Sequence, residues 1–179
     1  KKEISDFSLE TQLIRNDQMP LFCRLSLRIN CHLDGTPHYL IATVENISER
    51  KKNEDKLLLA ASVFTHAREG IMITDFKEKI VDVNATFCQI TGYSREEIVG
   101  KPPKILNSDR YEEDFYAAIR HDLEEKGHWY GELWKRHKNG EIYAVMQNIS
   151  AVRDTEGNIQ HYVTLFSDIT LIKNHEQKL

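Results

Sequence analysis

The stretch "GHWYGELWKRHKNGEIYAVMQNISAVRDTEGNIQHYVTLFSDIT" (residues 127–170) decides the fold. It holds three long runs rich in β-branched and aromatic residues, separated by turn signals. Asn139-Gly140, between the first two runs, is the strongest short hairpin signal. The segment "TEGN" (residues 155–158) supplies the second turn. The spacing predicts three antiparallel strands, after which the chain passes through Asp168-Ile169-Thr170 into a charged helical stretch.

The same ending occurs earlier. "ENISERKKNEDKL" (residues 45–57) parallels "SDITLIKNHEQKL" (residues 167–179). Sliding the chain along itself by 122 residues lays Gly35 on Gly157, Ile47 on Ile169, Ser48 on Thr170, Lys51 on Lys173, Glu54 on Glu176 and Leu57 on Leu179. Further back, Glu10 falls on Glu132. The repeat reads as a domain plus a linker. The second copy is whole; the first is the C-terminal part of one, as expected of a fragment that begins inside a domain. The expected divisions are residues 1–48 for this partial copy, 49–60 for a linker helix, 61–170 for the complete domain and 171–179 for the start of an outgoing helix. Three strands alone are marginal in water, so the first segment needs further packing.

Upstream in the complete copy, "KLLLAASVFTHA" places Leu57, Ala61 and Phe64 on one helical face. "GIMITD" and "KIVDVN" form a hairpin through "FKEK". Asn84 caps the helix "ATFCQIT", which Gly92 ends, and Ser94 with Glu97 makes a capping box. Two prolines interrupt "KPPKILNS". "RYEEDFYAAIRHDLEEKG" is amphipathic, with Phe115, Ala118, Ile119 and Leu123 on one face and Gly127 as its stop. Two strands, short helices and three long strands give an α+β fold with helices on one face of an antiparallel sheet.

The net charge of -4, without a basic stripe, argues against nucleic-acid binding. Cys23, Cys31 and Cys88 form an odd set without metal spacing and read as reduced thiols. No apolar run is long enough to span a membrane. The expected setting is cytoplasmic, with a membrane anchor elsewhere in a longer protein left open.

The words "EGIMITD", "IVDVNATFCQITGYSREEIVGK", "GHWYGELWKRHKNGEIYAV" and "YVTLFSDIT", in this order, resemble the PAS sensory domain over about residues 60 to 170. The segment "LIRNDQMPLFCRLSLRI" through "ENISERKK" resembles the last three strands of a preceding PAS domain. The resemblance implies a five-stranded antiparallel sheet with short helices on one face, flanked by linker helices. It also implies a tandem PAS region of the kind found ahead of bacterial GGDEF, EAL or histidine kinase output domains. Such regions sense and relay signals, as homodimers joined by linker helices or the outer sheet face, with the output domain in cis.

The same resemblance bears on cofactors. Light-sensing LOV members form an FMN-cysteinyl adduct through a cysteine whose place here is taken by Pro103, within "GKPPK". Their flavin-reading positions correspond to Lys135, Val145 and Phe166, none of which carries an amide. Haem members need an axial histidine on the long helix; His121 sits late on it, between Arg120 and Asp122, and reads as a surface residue. Trp129 resembles a tryptophan of redox-sensing members, which keeps non-covalent FAD as an alternative. The expectation is therefore no cofactor and no metal site.

Strand alternation puts Leu133, Val145, Gln147, Ile149, Thr164 and Phe166 on the helix-facing side of the sheet. Leu106, Phe115, Ile119 and Trp129 complete the candidate pocket, which could take a small molecule. Ala144, Met146, Val163 and Leu165 form an apolar outer face. No catalytic residue is assigned: the chain has no P-loop, nucleophile elbow, zinc-protease helix, GGDEF or EAL motif, and His175 in "NHEQKL" lacks the rest of a kinase phosphoacceptor box. The expected relay is the strand end Asp168, Ile169 and Thr170, repeated as Asn46, Ile47 and Ser48, where a polar side chain caps the outgoing helix. Two alternatives stand beside a sensory relay: a ligand-free dimerisation module, and an FAD or haem sensor of redox state or gas.

Overall fold

The computed structural model describes residues 6–176. The chain divides into two compact units, one ending at Ala61 and the other beginning at Ser62.

The first unit holds β1 (Asp6–Ile14), β2 (Pro20–Cys31) and β3 (Pro37–Asn46), paired antiparallel in the order β1-β2-β3. Cys23 and Ile47 are buried, whereas Phe7, Leu9, Leu40 and Val44 remain exposed. This sheet therefore has little core of its own. Helix α1 (Ser48–His66) follows and buries no residue. Of the face expected to pack, Leu57 is 71% exposed, Ala61 is exposed and Phe64 is half-buried.

The second unit contains β4 (Gly70–Asp75), β5 (Ile80–Val83), α2 (Ala85–Thr91), α3 (Arg95–Ile98), a 3-10 turn (Pro103–Leu106), α4 (Glu113–Lys126), β6 (His128–Arg136), β7 (Ile142–Arg153), β8 (Ile159–Asp168) and α5 (Thr170–Glu176). The sheet order is β5-β4-β8-β7-β6, antiparallel throughout. This is the five-stranded α+β arrangement expected. The last positions of the outgoing helix, residues 177–179, lie outside the described residues.

Local chemistry explains the element ends. Gly127 stops α4 at φ 77, and Gly140 turns β6 into β7 at φ 93; both conformations suit glycine because it has no Cβ. Ser94 and Glu97 complete their reciprocal capping box. Asn84 does more than cap α2. Its Oδ1 accepts from the Phe87 and Ile71 amides at 2.9 Å, and its Nδ2 donates to the Phe64 and Glu69 carbonyls. One buried amide thus ties the end of α1, the start of β4 and α2 together.

The core lies between the sheet and its helices, centred on Phe87, Ile98, Leu133 and Val145. Gly70 lets the Phe166 ring lie against β4, since a Cβ there would sit 2.7 Å from the ring. Two expectations need correction. Ala118, expected on the buried face of α4, is exposed, because that face turns through Ile119 and Leu123. Ala144, expected on an open outer face, is buried because the start of α5 folds onto it. Met146, Val163 and Leu165 are half-buried.

Candidate ligand cavity and helix junction

A cavity of about 590 Å³ lies between the sheet and α4. Met72 and Thr74 of β4, Leu133 and Lys135 of β6, Gln147 and Ile149 of β7, and Tyr162 and Thr164 of β8 form its sheet side. Tyr116, Ile119 and Leu123 line it from α4. Lys77, Glu78 and Lys104, all exposed, stand at its mouth with Glu113, Arg120 and Glu124 of α4. Glu113 is held by Arg120 at 2.7 Å.

Of the ten pocket residues expected from sequence, Ile119, Leu133, Gln147, Ile149 and Thr164 line the cavity. The other five do not, each for a packing reason. Phe115 stacks on Tyr111 at 4.4 Å, so Tyr116, one position on, faces the cavity instead. Phe166 meets Phe87 edge to face at 5.7 Å and fills the space over Gly70. Val145 and Leu106 are sealed in the core, and the Trp129 ring folds over Gly131.

Sequence reasoning missed Met72, Thr74, Asn107, Tyr116, Lys135 and Tyr162 as cavity residues. Lys135 is the most consequential. It is only 9% exposed, and its Nζ donates to Asn107 Oδ1 at 3.3 Å. Burial alone pulls its ammonium pKa down from 10.5 to about 8. Among the described residues no carboxylate pairs with it. Gln147, Thr164 and Thr74 are 6%, 3% and 3% exposed, and their side chains make no hydrogen bond among the described residues. Their polar atoms are not sealed from solvent but open onto the cavity, where water or a bound molecule can meet them.

The cavity lining includes neither cysteine nor histidine. Pro103 lines it at the place where the resemblance would put an adduct cysteine. His121 is exposed and outside the lining, so the residues present do not fit an axial haem ligand. Among the described residues no cluster of three His, Cys, Asp or Glu side chains could hold a metal.

The second feature is where each sheet hands over to a helix. At the end of β8, Asp168 Oδ1 accepts from the Thr170 amide at 2.8 Å and from its hydroxyl at 2.5 Å. The Ile169 amide donates to the Ala144 carbonyl at 2.8 Å, and the Ala144 amide donates to Thr170 Oγ1 at 3.0 Å. Lys173 then reaches Glu132 on β6 at 2.8 Å and Glu176 at 3.0 Å. The first unit repeats most of these contacts, though no bond joins the Ser48 hydroxyl to Asn46 among the described residues. Asn46 Oδ1 accepts from the Ser48 amide at 3.0 Å, the Ile47 amide donates to the Phe22 carbonyl at 2.9 Å, and the Phe22 amide donates to Ser48 Oγ at 3.1 Å. Lys51 reaches Glu10 at 2.9 Å and Glu54 at 3.7 Å. Glu10 also receives Arg24 and Arg50, and these three cations hold its carboxyl at about 2, with the Lys51 contact contributing most.

Cavity and junction share strands. Gln147 and Ala144 are three residues apart on β7, about 10 Å along a strand. Thr164 and Asp168 both lie on β8. Tyr143, the cross-strand partner of Lys135, has a buried hydroxyl without a hydrogen-bond partner among the described residues. Burial, and then the charge of Asp168, push its phenol pKa upward.

A family model described as "PAS domain" matches residues 68–171. A nitrogen fixation regulatory protein of Klebsiella oxytoca is 29% identical over 113 residues, covering 63% of this chain and 23% of that protein. The oxygen sensor protein DosP of Escherichia coli is 26% identical over 171 residues, covering 95% of this chain and 21% of that protein. The chain thus spans about a quarter of the length of these curated relatives. The crystal structure of a PAS domain from Colwellia psychrerythraea superposes with a TM-score of 0.62 at 26% identity, covering 65% of this chain and 99% of that one.

Proposed function

The chain belongs to the PAS domain family, and from that premise we propose that it is the sensing and relaying part of a multidomain bacterial signalling protein. A small molecule in the cavity, or a change at an interface, biases the end of the sheet. Asp168, Ile169 and Thr170 carry that bias into α5, towards an output domain in cis that turns over cyclic di-GMP or acts as a two-component kinase. Asn46, Ile47 and Ser48 do the same for the first unit, read as the last three strands of a preceding PAS domain. The proposed domain divisions are those expected from sequence, and the setting is cytoplasmic.

The observation that carries this reading is the sharing of β7 and β8 by cavity and junction. Gln147 and Thr164 line the cavity, while Ala144 and Asp168 hold the start of α5. A shift of either strand changes the geometry in which the helix is capped, and packed helices have few stable arrangements through which to pass such a change. Similarity to proteins named as a regulator and as an oxygen sensor supports a signalling role. The exposed Leu57, Leu58, Leu59 and Val63 on α1 support a homodimer through the linker helix.

The test is Asp168→Ala in the full-length protein. The second unit should stay folded while the output activity loses its dependence on the input signal. Regulation that survives unchanged would rule out the relay.

A further inference from the structure

The geometry points to one class of occupant for the cavity: a small organic carboxylate with an apolar or aromatic body, its charge met by Lys135. This rests on the reading of the cavity as a ligand site.

Lys135 carries the argument. An ammonium has three donors, and among the described residues Lys135 meets a single neutral acceptor, the Asn107 side-chain oxygen. Lys51, Lys126, Lys138 and Lys173 are more exposed, yet each pairs with a carboxylate. The lysine with least access to water thus has no counter-charge among the described residues. A buried cation without a counter-charge is destabilising, and an anion with matching geometry offsets that penalty. Gln147, on the neighbouring β7, and Thr164, on β8 beyond it, add polar groups farther along the same lining.

Size and composition narrow the class further. A volume of about 590 Å³ falls in the usual range for small-molecule sites. Met72, Leu133, Ile149 and Tyr162 make much of the sheet side apolar, which suits a hydrocarbon or aromatic body. One buried cation suits a single negative charge. Phosphate groups draw forked arginines or several donors at once, and the buried part of this lining offers no arginine. A cationic ligand would face Lys135 directly.

Isothermal titration at pH 7 would compare sodium octanoate with 1-octanol, and sodium phenylacetate with phenylacetamide. At least one carboxylate should bind tenfold or more tightly than its neutral counterpart. That preference should vanish in Lys135→Met and persist in Lys135→Arg, with affinity for the neutral compound unchanged. Tryptophan fluorescence checks the fold of each variant; Lys135→Gln, which keeps a donor for Asn107, replaces Lys135→Met should that variant fail to fold. Equal binding of charged and neutral probes overturns the carboxylate assignment and leaves the ligand site standing. Should no probe bind, mass spectrometry of molecules released on denaturation decides. A released carboxylate supports the assignment, a released neutral molecule overturns it, and release of nothing overturns both the assignment and the ligand site.

Discussion

Replacing Lys135 by methionine should stabilise the second unit. The ammonium pKa drops from 10.5 to about 8 on burial, which corresponds to about 3 kcal/mol against the folded state at neutral pH. The bond to Asn107 at 3.3 Å returns about 1 kcal/mol. The net gain expected for Lys135→Met at pH 7 is therefore about 2 kcal/mol, with a side chain of similar length filling the same space. The sign of the pH dependence follows from the lowered pKa. Above about 8 the folded protein has released the proton while the unfolded chain holds it until about 10.5. Wild-type stability should thus rise between these two values, and Lys135→Met should lack that rise. The groups facing Lys135 do not alter this. Asn107 and the cross-strand Tyr143 are neutral near pH 8, and Glu78, Glu113 and Glu124 around the mouth contribute nothing to its displaced pKa. Urea unfolding followed by tryptophan fluorescence isolates the effect, because both tryptophans, Trp129 and Trp134, lie on β6. Tyrosines that ionise at high pH act in both proteins and cancel in the difference. A wild-type-minus-variant difference that stays flat from pH 7 to 10, or a variant less stable than wild type at pH 7, would refute the account of Lys135 as a buried, uncompensated cation.

Three further outcomes can be measured on the same chain. Gly70→Ala drives a methyl to 2.7 Å from the Phe166 ring, and should destabilise the second unit by about 1–3 kcal/mol in urea unfolding; a neutral result would mean that the ring moves freely. Asn84→Ala removes the acceptor of the Ile71 and Phe87 amides and the donor to Phe64 and Glu69, so a loss of about 2–4 kcal/mol is expected, with faster amide exchange at Ile71. In the first unit, the carboxyl of Glu10 is lowered to about 2 by Lys51, Arg50 and Arg24. Its contribution is complete above the ordinary value of 4.5 and lost as pH falls through 2. Amide exchange in β1–β3 should accelerate over that window in wild type and show a smaller change in Glu10→Gln.

The fold was legible because its signals are local. Asn139-Gly140, the Ser94–Glu97 box, Asn84 and Gly127 act within a few residues of where they stand, and each does what its chemistry requires. The repeat was legible through a few polar positions, among them Glu10 with Glu132 and Lys51 with Lys173. The cavity was only half legible. Alternation places Lys135 on the same side as Leu133, but a lysine in a strand reads as a solvent residue, and nothing nearby in sequence announces that Asn107, just after the 3-10 turn, pairs against it. Helix phase was the other obstacle. Phe115 and Tyr116 differ by one residue, about 100° of rotation, and stacking on Tyr111 decides which of them faces inward.

The repeated junction also determines which positions are free to change. At its centre the helix start is held by a backbone carbonyl and amide, those of Phe22 in one unit and Ala144 in the other. The side chain at that position takes no part in the bonding, and a large aromatic and one of the smallest apolar residues serve it equally. A coupling of this kind behaves like a standard fitting between interchangeable parts. The interior of each sheet can be rebuilt for a new occupant while the helix still leaves through the same contacts, and a chimera that joins one sheet to the other's helix at Ile47 or Ile169 should inherit a working connection.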